Sequence, residues 1–148
     1  MAVKPIPEGY HTVTPYLVVE GAAKMIDFMK AAFDAQEVFS MPGKDGTVGH
    51  AEVRIGDSMI MLADAQPSYP ARPCMICLYV EDADATYQRA LAAGATVVRE
   101  IADQFYGDRS GAVQDASGMQ WWISTHIEDV APEELARREA ALKEQHHE

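Results

Sequence analysis

The chain has 148 residues, of which 48% are hydrophobic and 24% charged, and its formal net charge is −11. This composition is typical of one globular domain that buries a core without disulfides or a structural metal. The acidic balance argues against a nucleic-acid partner, which requires a basic surface, although it is compatible with a cationic ligand. No apolar run is long enough for a membrane span and the start has no apolar signal segment, so we expect a cytoplasmic protein.

The first half of the chain predicts a strand, a helix and three further strands. The helix is indicated by apolar residues that recur at helical spacing, namely Ala22, Met25, Ile26, Met29 and Phe33. Asp34 follows at the position of a left-handed helix cap. The four strands lie near residues 12–19, 35–41, 48–55 and 58–63, with turns at 45–46 and 56–58.

The second half repeats this order. Residues 16–22, YLVVEGA, resemble residues 77–83, CLYVEDA, about 60 positions later. Gly94 takes the place of the helix cap. The second helix is indicated by Ala83, Tyr87, Ala90 and Leu91, and the strands lie near 75–80, 96–100, 111–115 and 119–125.

We therefore predict an α+β fold of two tandem βαβββ modules that form a cupped mixed sheet, with a C-terminal helix. The chain is interpreted as a single domain over 1–148. It divides into a first module at 10–64, a proline-rich linker at 65–73, a second module at 74–126 and a helical tail at 130–145. His146 and His147 are interpreted as the frayed end of the tail and not as a metal site.

Two segments carry a family resemblance: residues 49–58, GHAEVRIGDS, and residues 103–111, DQFYGDRSG. With the tandem repeat and an Asp-x-x-Gly turn before the last strand, they make the chain resemble the vicinal oxygen chelate superfamily over about residues 10–126. Within it they look like the PhnB-like glyoxalase/bleomycin-resistance branch. The resemblance implies a cup for a small molecule and a homodimer that pairs through its sheets or exchanges halves.

The metal-dependent enzymes of this family hold a divalent ion with four side chains, on the first and last strand of each half. The matching positions in this chain are Thr14, Met61, Met75 and Trp122. None of these side chains is a good ligand for a hard or borderline metal ion. We therefore expect no metal and no other cofactor.

Strand alternation predicts that one face of each sheet is apolar enough to pack under the helices. The opposite face mixes methionine, aromatic and polar side chains, as ligand pockets do; a packed core or a subunit interface is the alternative. The candidate ligand-binding residues on this face are Thr14, Tyr16, Met59, Met61, Met75, Tyr79 and Trp122.

Two further groups of side chains are candidates for the site. His50 and Glu52 share one strand face and suit a general acid–base pair; the alternative is a polar strand surface in which Arg54 forms a cross-strand ion pair. The predicted loop 104–109 contains Phe105, Tyr106 and Arg109, which suit a lid that clamps an anionic or planar group. A solvated turn with an Asp108–Arg109 contact is the alternative.

Cys74 and Cys77 form a C-x-x-C motif, but positions three apart on a strand point to opposite faces, and no second pair exists to complete a zinc site. We therefore interpret the two cysteines as a structural or incidental pair.

The function that these observations favour is the binding of a small hydrophobic or planar molecule in a metal-free cup. The alternatives are a metal-dependent glyoxalase or dioxygenase type of enzyme, and a metal-free lyase or isomerase that uses His50 and Glu52.

Overall fold

The structure is a computed structural model that describes residues 2–145. His146 and His147 lie outside the described residues. The first module contains β1 (Tyr16–Val19), α1 (Ala22–Phe33), β2 (Gln36–Pro42), β3 (Val48–Ile55) and β4 (Ser58–Asp64). The second contains β5 (Met75–Tyr79), α2 (Ala83–Ala92), β6 (Thr96–Asp103), β7 (Asp108–Gln114) and β8 (Gln120–His126), and α3 (Pro132–Gln145) follows.

Each module folds its strands into one four-stranded sheet. The strand order is β1-β4-β3-β2 in the first sheet and β5-β8-β7-β6 in the second. The pairs β1–β4 and β5–β8 are parallel, and the others are antiparallel. The repeat therefore predicted the fold class correctly, because the same sequence pattern produces the same topology twice.

Helix α1 forms because its apolar residues fall on one buried face. Its C-terminal cap Asp34 has φ 55°, as the sequence indicated. At the other end, Asp64 at the close of β4 accepts hydrogen bonds from the amides of Gly21 and Ala22, both at 2.9 Å. Burial raises the pKa of Asp64, but bonds from the amides of Val48, Ala22 and Gly21 outweigh it and hold the pKa below its usual value. The strand thus anchors the helix that crosses over it.

The two modules join through their helices. Phe33 at the end of α1 packs on Trp121 of β8, with ring centroids 4.9 Å apart, and Phe28 lies 6.4 Å from the same indole. Arg89 of α2 donates two hydrogen bonds to the carboxylate of Asp34. One buried cluster therefore contains residues of both modules. The sheet faces that lack helices, called the open faces below, point away from this shared core.

A buried carboxylate organises the last turn of the second module. Asp115, only 8% exposed, accepts hydrogen bonds from the indole nitrogen of Trp121 at 2.7 Å and from the amides of Ser117 and Met119. Gly118, with φ 91°, closes this Asp-x-x-Gly turn. The turn thereby locks the core-facing indole in place.

Three boundaries differ from the sequence prediction. Strand β1 begins at Tyr16 and not near residue 12, because Pro15 has no amide hydrogen to donate to the sheet. Strands β6 and β7 extend towards each other, so that the predicted loop 104–109 shrinks to residues 104–107 and Arg109 becomes a strand residue.

Within residues 2–145, no helix is both long and apolar enough to cross a membrane.

Candidate functional site

The open face of the first sheet carries a row of four side chains set by strand register. Tyr16 lies beside Met61, Met61 beside Glu52, and Glu52 beside Phe39. Tyr16 is 50% exposed and Phe39 44% exposed, so this row offers aromatic and thioether surface to solvent. Apolar groups exposed together on one face are a feature of binding surfaces.

His50 lies next to this row and links two of its members. Its Nδ1 atom is 3.1 Å from the hydroxyl of Tyr16, and its Nε2 atom is 3.7 Å from Oε2 of Glu52. The distance between His50 and Glu52 is too long for a hydrogen bond but is within the range of an ion pair. Arg54 instead donates to the side-chain oxygen of Gln36, so the cross-strand ion pair considered for it is absent among residues 2–145.

The open face of the second sheet has a corresponding row: Cys77, Trp122, Ala112 and Arg99. Trp122 is half-buried, and the guanidinium carbon of Arg99 lies 5.8 Å from the centre of its ring. Met75 and Tyr79, in the flanking rows, are 56% and 68% exposed. An indole, a thioether and a phenol thus share this face, which is suited to a planar apolar group.

A chain of polar groups lies at one end of the second open face. The hydroxyl of Tyr79 donates to Oδ2 of Asp108 at 2.7 Å, and Nδ1 of His126 lies 2.8 Å from Oδ1 of the same carboxylate. Nε2 of His126 lies 2.7 Å from Asp129. The hydrogen bond to Asp108 raises the pKa of Tyr79, and the bonds to Asp108 and then Asp129 raise the pKa of His126.

The sequence predicts Tyr79 as a ligand contact and offers Asp108 as a partner of Arg109, but it does not predict that Asp108, His126 and Asp129 form one cluster. The sequence predicts a loop at Asp108, whereas Asp108 is the first residue of β7 and only 5% exposed. The pairing of Asp108 with His126 brings together residues from two different strands. Only the strand register reveals this contact, although a histidine at the end of a strand was a usable signal.

Arg109 is not on the open face. It extends to the helix side, where its guanidinium bonds to Asp84 of α2 at 2.6 and 2.9 Å and to Asp103 at 2.9 Å. These bonds raise its pKa and lower that of Asp84. The idea that Arg109 clamps a ligand's anionic group is therefore wrong for this geometry, because two carboxylates already occupy its donors.

Phe105 and Tyr106 form the turn between β6 and β7, with their rings 5.3 Å apart edge to face. The carbonyl of Phe105 accepts a hydrogen bond from Arg138 of α3, which also binds Glu128. The turn is therefore tied to the C-terminal helix, and it lies at the end of the second open face.

Thr14 and Met59 lie together near a cleft between the modules. The cleft has a volume of about 940 Å³, and its walls include Phe33, Ile60, Leu78 and His126. Met59 lies on the open face of the first sheet, opposite Arg54, but it is only 6% exposed. His11, 3.3 Å from the carbonyl of Asp57, holds the N-terminal segment over this end of the hairpin β3–β4.

The four positions that the family resemblance marks as metal ligands do not suit a metal ion in this chain. Thr14, Met61, Met75 and Trp122 offer a hydroxyl, two thioethers and an indole, whereas ions such as Zn²⁺ are bound by imidazole, carboxylate or thiolate groups. Across residues 2–145, no three His, Cys, Asp or Glu side chains are grouped so that they could hold a metal ion. Cys74 and Cys77 are both exposed free thiols.

These features define a protein of two βαβββ modules whose open faces carry aromatic side chains. The chain belongs to the glyoxalase/bleomycin resistance protein/dioxygenase superfamily, whose family model matches residues 10–123. An uncharacterized protein of Mycobacterium bovis is 41% identical to it over 144 residues, covering 90% of this chain and 93% of that protein.

Two solved structures share the fold. TioX from Micromonospora sp. ML1 superposes with a TM-score of 0.69 at 23% identity, covering 79% of this chain and 99% of TioX. TnmS3, an antibiotic binding protein from Streptomyces sp. CB03234, superposes with a TM-score of 0.62 at 21% identity, covering 85% of this chain and 98% of TnmS3.

Proposed function

We propose that this protein binds a small hydrophobic or planar molecule on its open faces without a metal, and that it belongs to the PhnB-like branch of its superfamily. The half-buried Trp122, flanked by the exposed Met75 and Tyr79, is the observation that carries this proposal. Such a face gives a planar molecule a rigid stacking surface and adaptable thioether walls. That TnmS3 is an antibiotic binding protein of the same fold supports this choice.

The site is completed by a second copy of the chain. Because the modules of one chain join through their helices, the two open faces point away from the shared core and neither covers the other. Each face exposes large apolar side chains, which favours burial against another surface. In the dimer that we propose, an open face of one copy lies opposite an open face of the other, and the ligand lies between them.

Purified protein tests the binding proposal with neutral 2-naphthamide as the probe. We expect saturable binding by calorimetry that falls at least tenfold in Trp122→Ala, since stacking on an indole contributes on the order of 1 kcal/mol or more and the area buried adds to it. Ile127→Ala changes an exposed apolar residue just beyond the end of β8 and serves as the control. Equal binding by both variants would contradict the proposal.

Metal analysis and thermal denaturation with Zn²⁺, Ni²⁺ and Mn²⁺ test the metal-dependent alternative. We expect no stoichiometric metal and no rise of the melting temperature with these ions, because the four positions lack suitable donors. One tightly bound ion per chain would exclude the metal-free site.

A second candidate function is a metal-free isomerase or lyase. The contact of His50 with the hydroxyl of Tyr16 on one side and the carboxylate of Glu52 on the other favours it. Such an arrangement can accept a proton at His50 and return it. In a screen of aldehyde and hydroxy-ketone substrates, turnover that is lost in His50→Gln, while binding of 2-naphthamide is retained, is the result expected of this function.

A further inference from the structure

Arg99 and Trp122 meet across a gap that a small residue leaves open. Strand register places Ala112 between them in the same row, and Ala112 is fully buried beneath them. The alanine methyl group leaves room for the guanidinium to lie over the indole, 5.8 Å from the ring centre. The guanidinium of Arg99 is therefore held directly beside the indole ring of Trp122, the stacking surface of the proposed site.

Arg99 differs from most other arginines of the chain in what it binds. Arg89, Arg109, Arg137 and Arg138 each pair with a carboxylate. Arg99 has no carboxylate within ion-pair range among residues 2–145, and it donates to the neutral side-chain oxygen of Gln104 at 2.6 Å. The chain has a net charge of −11, yet no carboxylate of the described residues neutralises the guanidinium of Arg99. Because its described acceptor is a neutral amide oxygen, the guanidinium can donate to an incoming anion.

The backbone directs Arg99 onto the open face. The pairing of β6 with β7 shifts register on both sides of Arg99, between Val97 and Arg99 and again between Arg99 and Ala102. Register shifts of this kind are β-bulges, which change the direction in which a side chain points. The first module has a shift at the corresponding place, between Glu37 and Phe39, and it puts the apolar ring of Phe39 on the open face. A register shift at the same place in each module thus puts the cation of Arg99 on the second open face and the aromatic ring of Phe39 on the first.

We propose that the site selects planar molecules that carry an anionic group, of the class of aromatic carboxylates. The ring stacks on the part of the Trp122 indole that the guanidinium of Arg99 leaves uncovered, while the carboxylate accepts hydrogen bonds from the Arg99 donors that now bind Gln104. Exchanging an amide oxygen for a carboxylate gives the guanidinium an acceptor of opposite charge that can take two parallel N–H···O bonds. The inference rests on the proposed function, and it assigns ligand specificity to the local charge at Arg99 and not to the net charge of the chain.

Three probes with one ring system test this inference: 2-naphthoate, neutral 2-naphthamide and the cation 2-naphthylmethylammonium. By calorimetry at low salt we expect the wild-type protein to bind 2-naphthoate about tenfold more tightly than 2-naphthamide, with the ammonium weakest. Arg99→Gln should remove that preference while keeping the affinity for 2-naphthamide. Arg99→Lys should retain part of it, as a point charge without the planar fork.

Arg137→Gln is the matched control. It removes the same charge from α3, a helix that belongs to neither sheet, and the side chain of Arg137 is 71% exposed. We expect this variant to keep the wild-type preference.

The outcomes separate the two proposals. If the three probes bind wild-type protein equally, or if Arg99→Gln keeps the preference, the anion inference is wrong and the planar-ligand function stands. If Arg99→Gln weakens all three probes equally, Arg99 acts by packing alone and the anion inference is again wrong. If none of the probes binds, the binding function fails and the inference fails with it.

Discussion

Nδ1 of His126 lies 2.8 Å from Oδ1 of Asp108, a carboxylate whose side chain is 7% exposed. Asp108 also accepts the hydroxyl of Tyr79, so two strands other than its own supply its partners. A buried carboxylate needs such partners, because an unpaired charge away from water is strongly unfavourable. This contact joins β5, β7 and β8 at the end of the second open face, and it has consequences that can be measured.

The first prediction concerns pH. Asp108 and then Asp129 raise the pKa of His126 above 6.5 in the folded protein, so folding favours the protonated ring. Its contribution to stability is fully present below pH 6.5 and is lost as the pH rises through the raised pKa. We expect the stability difference between wild type and His126→Gln, measured by urea unfolding from about pH 5.5 to 9, to shrink with rising pH. His11→Gln, which removes a histidine bound to a backbone carbonyl, is the control.

The second prediction concerns Tyr79. Tyr79→Phe removes a donor from the buried Asp108 and leaves the ring unchanged, so we expect a loss of about 1–2 kcal/mol in the free energy of unfolding. Tyr69→Phe, at a 65% exposed position, should change it by less than about 0.5 kcal/mol. Equal effects of the two variants would mean that the contact with Asp108 adds nothing to stability.

The third prediction compares two phenylalanines. Phe33 is 8% exposed and packs on Trp121, whereas Phe39 is 44% exposed on an open face. We expect Phe33→Ala to lower the free energy of unfolding by about 3 kcal/mol, because it opens a cavity where the modules join. Phe39→Ala should cost less than about 1 kcal/mol and should instead weaken 2-naphthamide binding or dimer formation. The reverse order of stability would contradict the assignment of the two faces.

The fourth prediction tests the dimer. Met75→Glu places a carboxylate on an apolar, 56% exposed position of the second open face. If open faces pair between two copies, the buried charge should shift the protein from dimer to monomer in analytical ultracentrifugation. Ile127→Glu, at a 52% exposed position just beyond the end of β8, should leave the mass unchanged. A wild-type protein that sediments as a monomer at high concentration would rule the dimer out.

Much of the fold could be predicted from the sequence. The bounds of α1 follow from the spacing of its apolar residues and from Asp34, whose φ of 55° was indicated by its place after the last apolar turn. Alternation placed Val53 in the core and Tyr16 on the exposed face, because successive strand side chains point to opposite sides. Alternation also placed Met59 on the open face, opposite Arg54, but it could not show that Met59 is buried there.

The sequence by itself determined the two modules, the order of strands and helices along each of them, and the lack of suitable donors at the four metal positions, because these depend on local periodicity and on residue type. Only the tertiary structure decided that Arg109 pairs with Asp84, that Arg99 lies over Trp122, and that His126 meets Asp108. Each of these contacts joins residues on different strands or helices. Register shifts and helix packing determine such contacts, and neither can be predicted from the spacing of residues along one segment.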